Sequence, residues 1–294
     1  MFRAGTARRR VARSVAVALL GLGATATGCG ADTSDDGAAR DDDTVAPSPA
    51  PAAPEGVAQP APNDAFDYQI GGPYPPAADV RVVVRDRAAP PEPGLYNVCY
   101  LNAFQTQPEE IPWWERNHPD LLLRSASEEP VMDREWGEAL LDTTTRDKRE
   151  KLAGIVGGWI DACAHAGYQA IEPDNLDSFS RSDGRLTMDQ NASFAQLLAQ
   201  RAHAAGLAVG QKNTAEMLER RAAIGFDFAV AEECAAYDEC DAYAAAFAGR
   251  VLVVEYDRAD FDEGCRVWGD RLSIVLRDRD VTPPGNAAHV YRSC

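Results

Sequence analysis

Basic residues are scarce in this chain of 294 residues: 29 Lys and Arg stand against 46 Asp and Glu. An acidic excess of that size repels nucleic acid and anionic lipid, and it favours cationic or neutral partners. Histidine is rarer still. His118, His165, His203 and His289 are scattered without H-x-H or H-E-x-x-H spacing, so neither a metal centre nor a cofactor is expected. No Gly-rich phosphate loop follows an apolar run, and no G-x-S-x-G surrounds a serine. Dinucleotide-binding open sheets and serine hydrolases therefore lack their signatures here. Long apolar runs are missing too: VAVALLGLGA, near the N-terminus, is too short to span a bilayer as an ordinary helix.

That run instead completes an export signal. Arg3, Arg8, Arg9, Arg10 and Arg13 form a basic n-region, and ATGC closes the signal at Cys29. The small residues before the cysteine resemble a bacterial lipobox, with Ala26 where leucine usually stands. The expectation is a signal peptide over residues 1–28 and a lipidated Cys29, the lipid being the one contact with membrane; simple secretion is the alternative. Removing residues 1–28 takes away five arginines and no acids, so 24 basic residues face 46 acids and the formal charge moves from -17 to -22. Residues 29–64, rich in Asp, Pro and Ala, have almost no large apolar side chains to bury, and a disordered tether is expected there.

Six cysteines follow Cys29, an even number that in an exported chain points to disulfides. Fifteen full connectivities exist. Cys234–Cys240, which closes a short loop, is the first choice; Cys265–Cys294 would staple the C-terminal tail and Cys99–Cys163 would complete the set. A buried free thiol is the alternative for Cys163, which lies on an apolar helix face.

Residues 65–294 suit one (β/α)8 barrel. A unit of helix, glycine, apolar strand and polar cluster recurs as CAHAGYQAIEPDN, RAHAAGLAVGQKN, RRAAIGFDFAVAEE and AAAFAGRVLVVEYD. Leu152, Ile155, Val156, Trp159, Ile160 and Cys163 keep the three-four spacing of a buried helical face, and TMDQ at Thr187–Gln190 reads as a capping box. DYQIGG, VRVVVRD, LYNVCYLNAF, EALLDT and LSIVLRD add further strands. The total is one more than a barrel of eight needs, so one is peripheral.

The strands end in polar residues: Asp86, Asn102, Asp142, Glu172 and Asp174, Lys212 and Asn213, Glu232 and Glu233, Glu255 and Asp257, Arg277 and Asp278. In a parallel barrel these ends converge on one mouth, where barrel enzymes carry their chemistry. Glu172 and Asp174, two apart, share a strand face, and Glu232 stands across the mouth. Two such carboxylates meet the needs of glycoside hydrolysis, one protonating the leaving oxygen and one attacking or activating water. The crowding of Glu172 and Asp177 around Asp174 is expected to raise one pKa, while Lys212 holds a neighbour ionised. Against this stand plainer readings: strand-end acids as loop caps, Asp177 as a turn residue, and Trp113, Trp114 and Trp136 as packed rather than sugar-stacking residues.

The ordered set GYQAIEPDNLDSF, LTMDQNASFAQLLAQRAHAAGLAVGQKN, DFAVAEECAAYDEC and VLVVEYD resembles glycoside hydrolase family 114, the endo-α-1,4-polygalactosaminidase-like barrels. The resemblance runs from about Phe66 to Asp257. It implies a (β/α)8 barrel that cleaves α-1,4-linked galactosamine polymers with retention of configuration. It implies Asp174, in EPDN, as nucleophile and Glu232 as acid/base. The family's N-E-Q-C reads Ala231-Glu232-Glu233-Cys234 here, so the glutamate and cysteine match while their neighbours differ. Gln69, Asp86, Glu172, Asp177, Lys212, Asn213 and Glu255 are the candidate sugar-binding residues. A non-catalytic polysaccharide-binding barrel on the cell surface is the alternative.

Overall fold

The computed structural model describes residues 56–294. The export signal, Cys29 and the tether up to residue 55 lie outside the described residues. The tether's last residues already belong to the folded body: Pro60 is buried, the Ala58 carbonyl accepts from Tyr96 Oη at 2.8 Å, and Gln59 Nε2 donates to Asp227 at 3.3 Å. Among the described residues the folded body therefore reaches ahead of the expected boundary at residue 65, held by these polar anchors and by Val57 packed against the barrel interior.

Eight parallel strands form the barrel. They are β1 (Phe66–Tyr68), β2 (Val82–Asp86), β3 (Tyr96–Asn102), β6 (Ala170–Asp174), β7 (Ala208–Lys212), β8 (Phe228–Glu232), β9 (Val251–Glu255) and β10 (Ser273–Arg277), hydrogen-bonded in that order. β10 returns beside β1, and β11 (Tyr291–Ser293) pairs antiparallel with β10 while Tyr291 Oη donates to the Phe66 carbonyl at 3.0 Å across the seam. EALLDT is the peripheral candidate: Glu138–Ala139 (β5) pairs antiparallel with Met132–Asp133 (β4) outside the barrel. Asp142, just beyond, pairs with Lys148 instead of facing the mouth.

Almost every barrel residue is buried, as expected of strands covered on both faces. Alternation sorts them into two cores. Phe66, Tyr68, Val84, Tyr100, Phe228, Val254 and Val275 fill the interior. Cys99, Leu101, Ile171, Val209, Val253 and Ile274 pack outward in one core with helices such as α1 (Ile111–Asn117), α2 (Arg146–Ala166) and α3 (Met188–Ala204). α2 starts at Thr145, whose side chain accepts from the Lys148 amide, and stops at Gly167 with φ 96°. α3 has both halves of the Thr187–Gln190 capping box.

Large and small residues alternate inside the barrel, and Gly210 shows why. A Cβ there would lie 2.8 Å from the Phe228 ring, whose side chain is fully buried. Gly210→Ala is expected to cost about 1–3 kcal/mol through overpacking, measured as a lower urea midpoint at unchanged slope. No loss would mean that Phe228 is free to shift.

The cysteines pair as Cys99–Cys163, Cys234–Cys240 and Cys265–Cys294, with Cα–Cα distances of 6.2, 4.9 and 5.5 Å. The free-thiol alternative for Cys163 is thus corrected: α2 lies over the outward face of β3 and brings Cys163 against Cys99. No helix among the described residues is long and apolar enough to cross a membrane.

Candidate active site

Interior parity carries three acids to the C-terminal end of the barrel. On β6, Ala170 is an interior core residue, so Glu172 and Asp174 follow it on the same face; on β8, Phe228 and Val230 lead to Glu232 in the same way. Lys212 ends β7 between them. The Lys212 ammonium touches Glu172 Oε1 at 3.0 Å, Asp174 Oδ1 at 3.3 Å and Glu232 Oε2 at 3.4 Å. Asp174 and Glu232 keep 18% and 24% of their side-chain surface exposed, while Glu172 has none. Two acids therefore open to the cavity and the third lies beneath it.

Each open carboxylate is held by a phenol. Tyr100 Oη donates to Asp174 Oδ2 at 2.8 Å, and Tyr256 Oη donates to Glu232 Oε1. Burial first, then the adjacent acids, raise both hydroxyls well above the usual tyrosine range, so they remain protonated donors. Asn213 clamps Glu232 twice: its Nδ2 donates to Oε2 at 3.0 Å and its Oδ1 accepts from the Glu232 amide at 2.8 Å. Tyr68 Oη donates to Glu172 at 2.8 Å. Burial pushes the Glu172 carboxyl up to about 7, against the pull of Lys212. The expected rise thus falls on Glu172, the acid with no access to solvent, and burial is its main cause, with the charge of Asp174 adding to it.

The cavity above has a volume of about 310 Å³, within the range of small-ligand sites. Asp86, Asp177, Lys212 and Asn213 line it together with Asp174 and Glu232. Gln69 and Glu255 do not, and their expected sugar contacts are corrected. Each is one position out of step with an interior aromatic, Tyr68 and Tyr256, so the strand turns it to the other face. Gln69 donates to Asp67 and accepts from Arg85, and Glu255 Oε1 accepts from the Ala235 amide at 2.9 Å. Glu172 is corrected as well, being sealed under Lys212 and Tyr68. Asp177 lines the wall with its carboxylate committed to Arg181 at 2.8 Å. Trp114 is fully buried in the helix Ile111–Asn117, whereas Trp136 is exposed on the cavity rim with Arg279 stacked 5.6 Å from its ring.

Sequence reasoning missed Tyr68, Tyr100, Tyr256 and Glu138. The tyrosines lie within runs read only as strands; interior parity with the strand-end acids was the available signal. Glu138 reaches the cavity from the peripheral hairpin, where it accepts from Asn102, Gln105 and Asn175.

Glu255 has a different consequence. Burial pushes it up to about 7, opposed by the Ala235 amide. A carboxyl raised on folding contributes stability that is complete below its ordinary value of 4.5 and is lost as pH rises through about 7. Glu255→Gln keeps the acceptor oxygen and removes the titration. Its stability is expected to fall by on the order of 3 kcal/mol less than the parent's between pH 4.5 and 8, measured by urea melts. Parallel curves for the two proteins would refute the role.

A parallel barrel with facing acids from separate strands at its C-terminal mouth has the build of a glycoside hydrolase. The chain belongs to glycoside-hydrolase family GH114, whose sequence profile matches residues 47–294. The crystal structure of Aspergillus fumigatus Ega3 in complex with galactosamine is similar to it, with TM-score 0.66 and 20% identity over 82% of this chain and 99% of that one. The glycoside hydrolase domain of a Pseudomonas aeruginosa PelA variant is also similar, with TM-score 0.52 and 19% identity over 76% and 97%. At such identities the likeness shows the barrel fold. No curated protein matches the chain by sequence.

Proposed function

We propose that the protein is an exported glycosidase that cleaves α-1,4-linked galactosamine-type polysaccharide with retention of configuration. Asp174 attacks the anomeric carbon while Glu232 protonates the departing oxygen; Glu232 then takes a proton from water, which releases the sugar. The observation that carries this reading is the shared ammonium. Because Lys212 touches both acids, at 3.3 and 3.4 Å, their nearer oxygens cannot be further apart than the sum of those distances. Retaining pairs stand about 5–5.5 Å apart, within that ceiling, while inverting pairs need about 6.5–9.5 Å to admit a water, a range that lies almost wholly beyond it.

Charge supports an aminosugar. Seven acidic and three basic side chains line the cavity, so its field attracts an ammonium-bearing chain. The galactosamine bound in the Ega3 crystal structure agrees with that choice. In this reading residues 56–294 hold the catalytic domain, the chain from Cys29 up to it is the tether, and a lipid on Cys29 holds it at the cell surface.

The test is incubation with deacetylated and acetylated α-1,4-galactosamine oligomers, followed by mass analysis of the products and NMR of the first-formed anomer. Shorter oligomers with α-configured new ends are expected. Binding without shortening would favour the polysaccharide-binding barrel, and β ends would exclude retention.

A further inference from the structure

A sugar-binding role for Lys212 conflicts with its surroundings. An ammonium has three N–H donors. Four oxygens already surround Lys212 Nζ: Tyr68 Oη and Glu172 Oε1 at 3.0 Å, Asp174 Oδ1 at 3.3 Å and Glu232 Oε2 at 3.4 Å. The side chain is only 3% exposed. No donor remains for a substrate hydroxyl. Tyr68 and Glu172 grip the nitrogen from below without lining the cavity, whereas Asp174 and Glu232 meet it from the cavity side.

We infer that Lys212 is a fixed counter-charge shared by the two reacting carboxylates, neutralising whichever of them is ionised, and that Glu172 and Tyr68 are positioning residues that hold it midway. This rests on the two-carboxylate reading above. In the first step an Asp174 oxygen bonds to the anomeric carbon, the glycosidic C–O bond breaks, and the leaving oxygen takes the proton of Glu232. Asp174 passes from carboxylate to neutral ester, and Glu232 from neutral acid to carboxylate. In the second step water adds its oxygen to the anomeric carbon and gives a proton to Glu232. The ester C–O bond returns its electron pair to Asp174.

The pair therefore carries one negative charge throughout, but that charge changes residue twice in each turnover. A cation bound to one acid alone would stabilise one stage and penalise the other. A cation at 3.3 Å from the first and 3.4 Å from the second serves both without moving, which is how a preorganised site avoids reorganisation cost. The groups facing Lys212 are Tyr68 on β1, Tyr100 on β3, Glu172 and Asp174 on β6, and Glu232 on β8, with Tyr256 acting from beyond β9. Burial alone would lower the ammonium, but the three acids outweigh it and keep it charged well above the usual lysine range.

The experiment uses Lys212→Met and, because that change strands the Glu172 charge, the neutral double variant Glu172→Gln/Lys212→Met. Deacetylated galactosamine tetramer is the substrate, and thermal melts verify folding. The folded variants are expected to lose about 100-fold or more in kcat with KM changed by less than about threefold. Near-parental kcat in the double variant would overturn the inference. A loss confined to KM would overturn it too, since that is the mark of a sugar ligand. Asp174→Asn and Glu232→Gln separate the two levels. If those retain activity, the two-carboxylate reading has failed; if they abolish it while the Lys212 variants keep the parental kcat, this inference alone has failed.

Discussion

Asp174→Asn and Glu232→Gln are each expected to abolish measurable cleavage of galactosamine oligomers while leaving the melting temperature within a few degrees of the parent. Both replacements keep an acceptor oxygen for the phenol that holds the position, Tyr100 or Tyr256. For Glu232→Gln, losing general acid–base catalysis lowers kcat by about 10²–10⁴. The loss shrinks on an aryl galactosaminide whose leaving group needs no proton. For Asp174→Asn it does not shrink, because no covalent intermediate forms.

Azide rescue distinguishes the two roles stereochemically. With Glu232→Ala and an activated aryl substrate, Asp174 is expected still to form the glycosyl ester, which azide would open to an azide of retained configuration. With Asp174→Ala, azide enters from the face the carboxylate has vacated and the product is inverted. The same anomer from both variants, or turnover undiminished in either parent mutant, would show that these two residues do not share the reaction as proposed.

Arg277→Met is expected to be the most destabilising of the single changes considered for the fold. Arg277 and Asp67 are buried together with Nη1 and Oδ1 3.5 Å apart, one on the last barrel strand and one on the first. The guanidinium also donates to the Val290 carbonyl at 2.9 Å and the Thr282 carbonyl at 3.1 Å, tying the C-terminal segment to the seam. Deleting one member of a buried ion pair leaves the other uncompensated, at a cost of about 3–5 kcal/mol. For a domain of this size that corresponds to a drop on the order of 10 °C in Tm, read by circular dichroism. Asp67→Asn introduced alongside should recover a good part of it, since a neutral amide strands no charge. High salt should not mimic the effect, because the pair is shielded from solvent. A drop of only one or two degrees would mean that the seam is held by β11 and the apolar interior.

The repeated helix–glycine–strand unit was readable because its signals are local. Helical spacing in α2, the capping box at Thr187–Gln190 and the turn at Gly167 all depend on neighbours a few residues away. The errors came where one residue of phase matters. Gln69 and Glu255 sit at strand ends and carry suitable groups, yet each is adjacent to an interior residue, and a strand sends adjacent residues to opposite faces. Glu172 was on the right face but too deep. Depth depends on where the barrel's layers fall, and no local pattern encodes it.

Composition and spacing, by themselves, determined that this is an acidic barrel of alternating helices and strands whose polar strand ends meet at one mouth. Those properties follow from side-chain chemistry and from periods of two and 3.6 residues. Only the folded chain decided which polar groups do the work. Lys212 meets oxygens from β1, β6 and β8, residues separated from it by 144, 40 and 20 positions. The closure of the sheet into a barrel brings those strands around one nitrogen, and no stretch of chain short enough to read by eye contains them together.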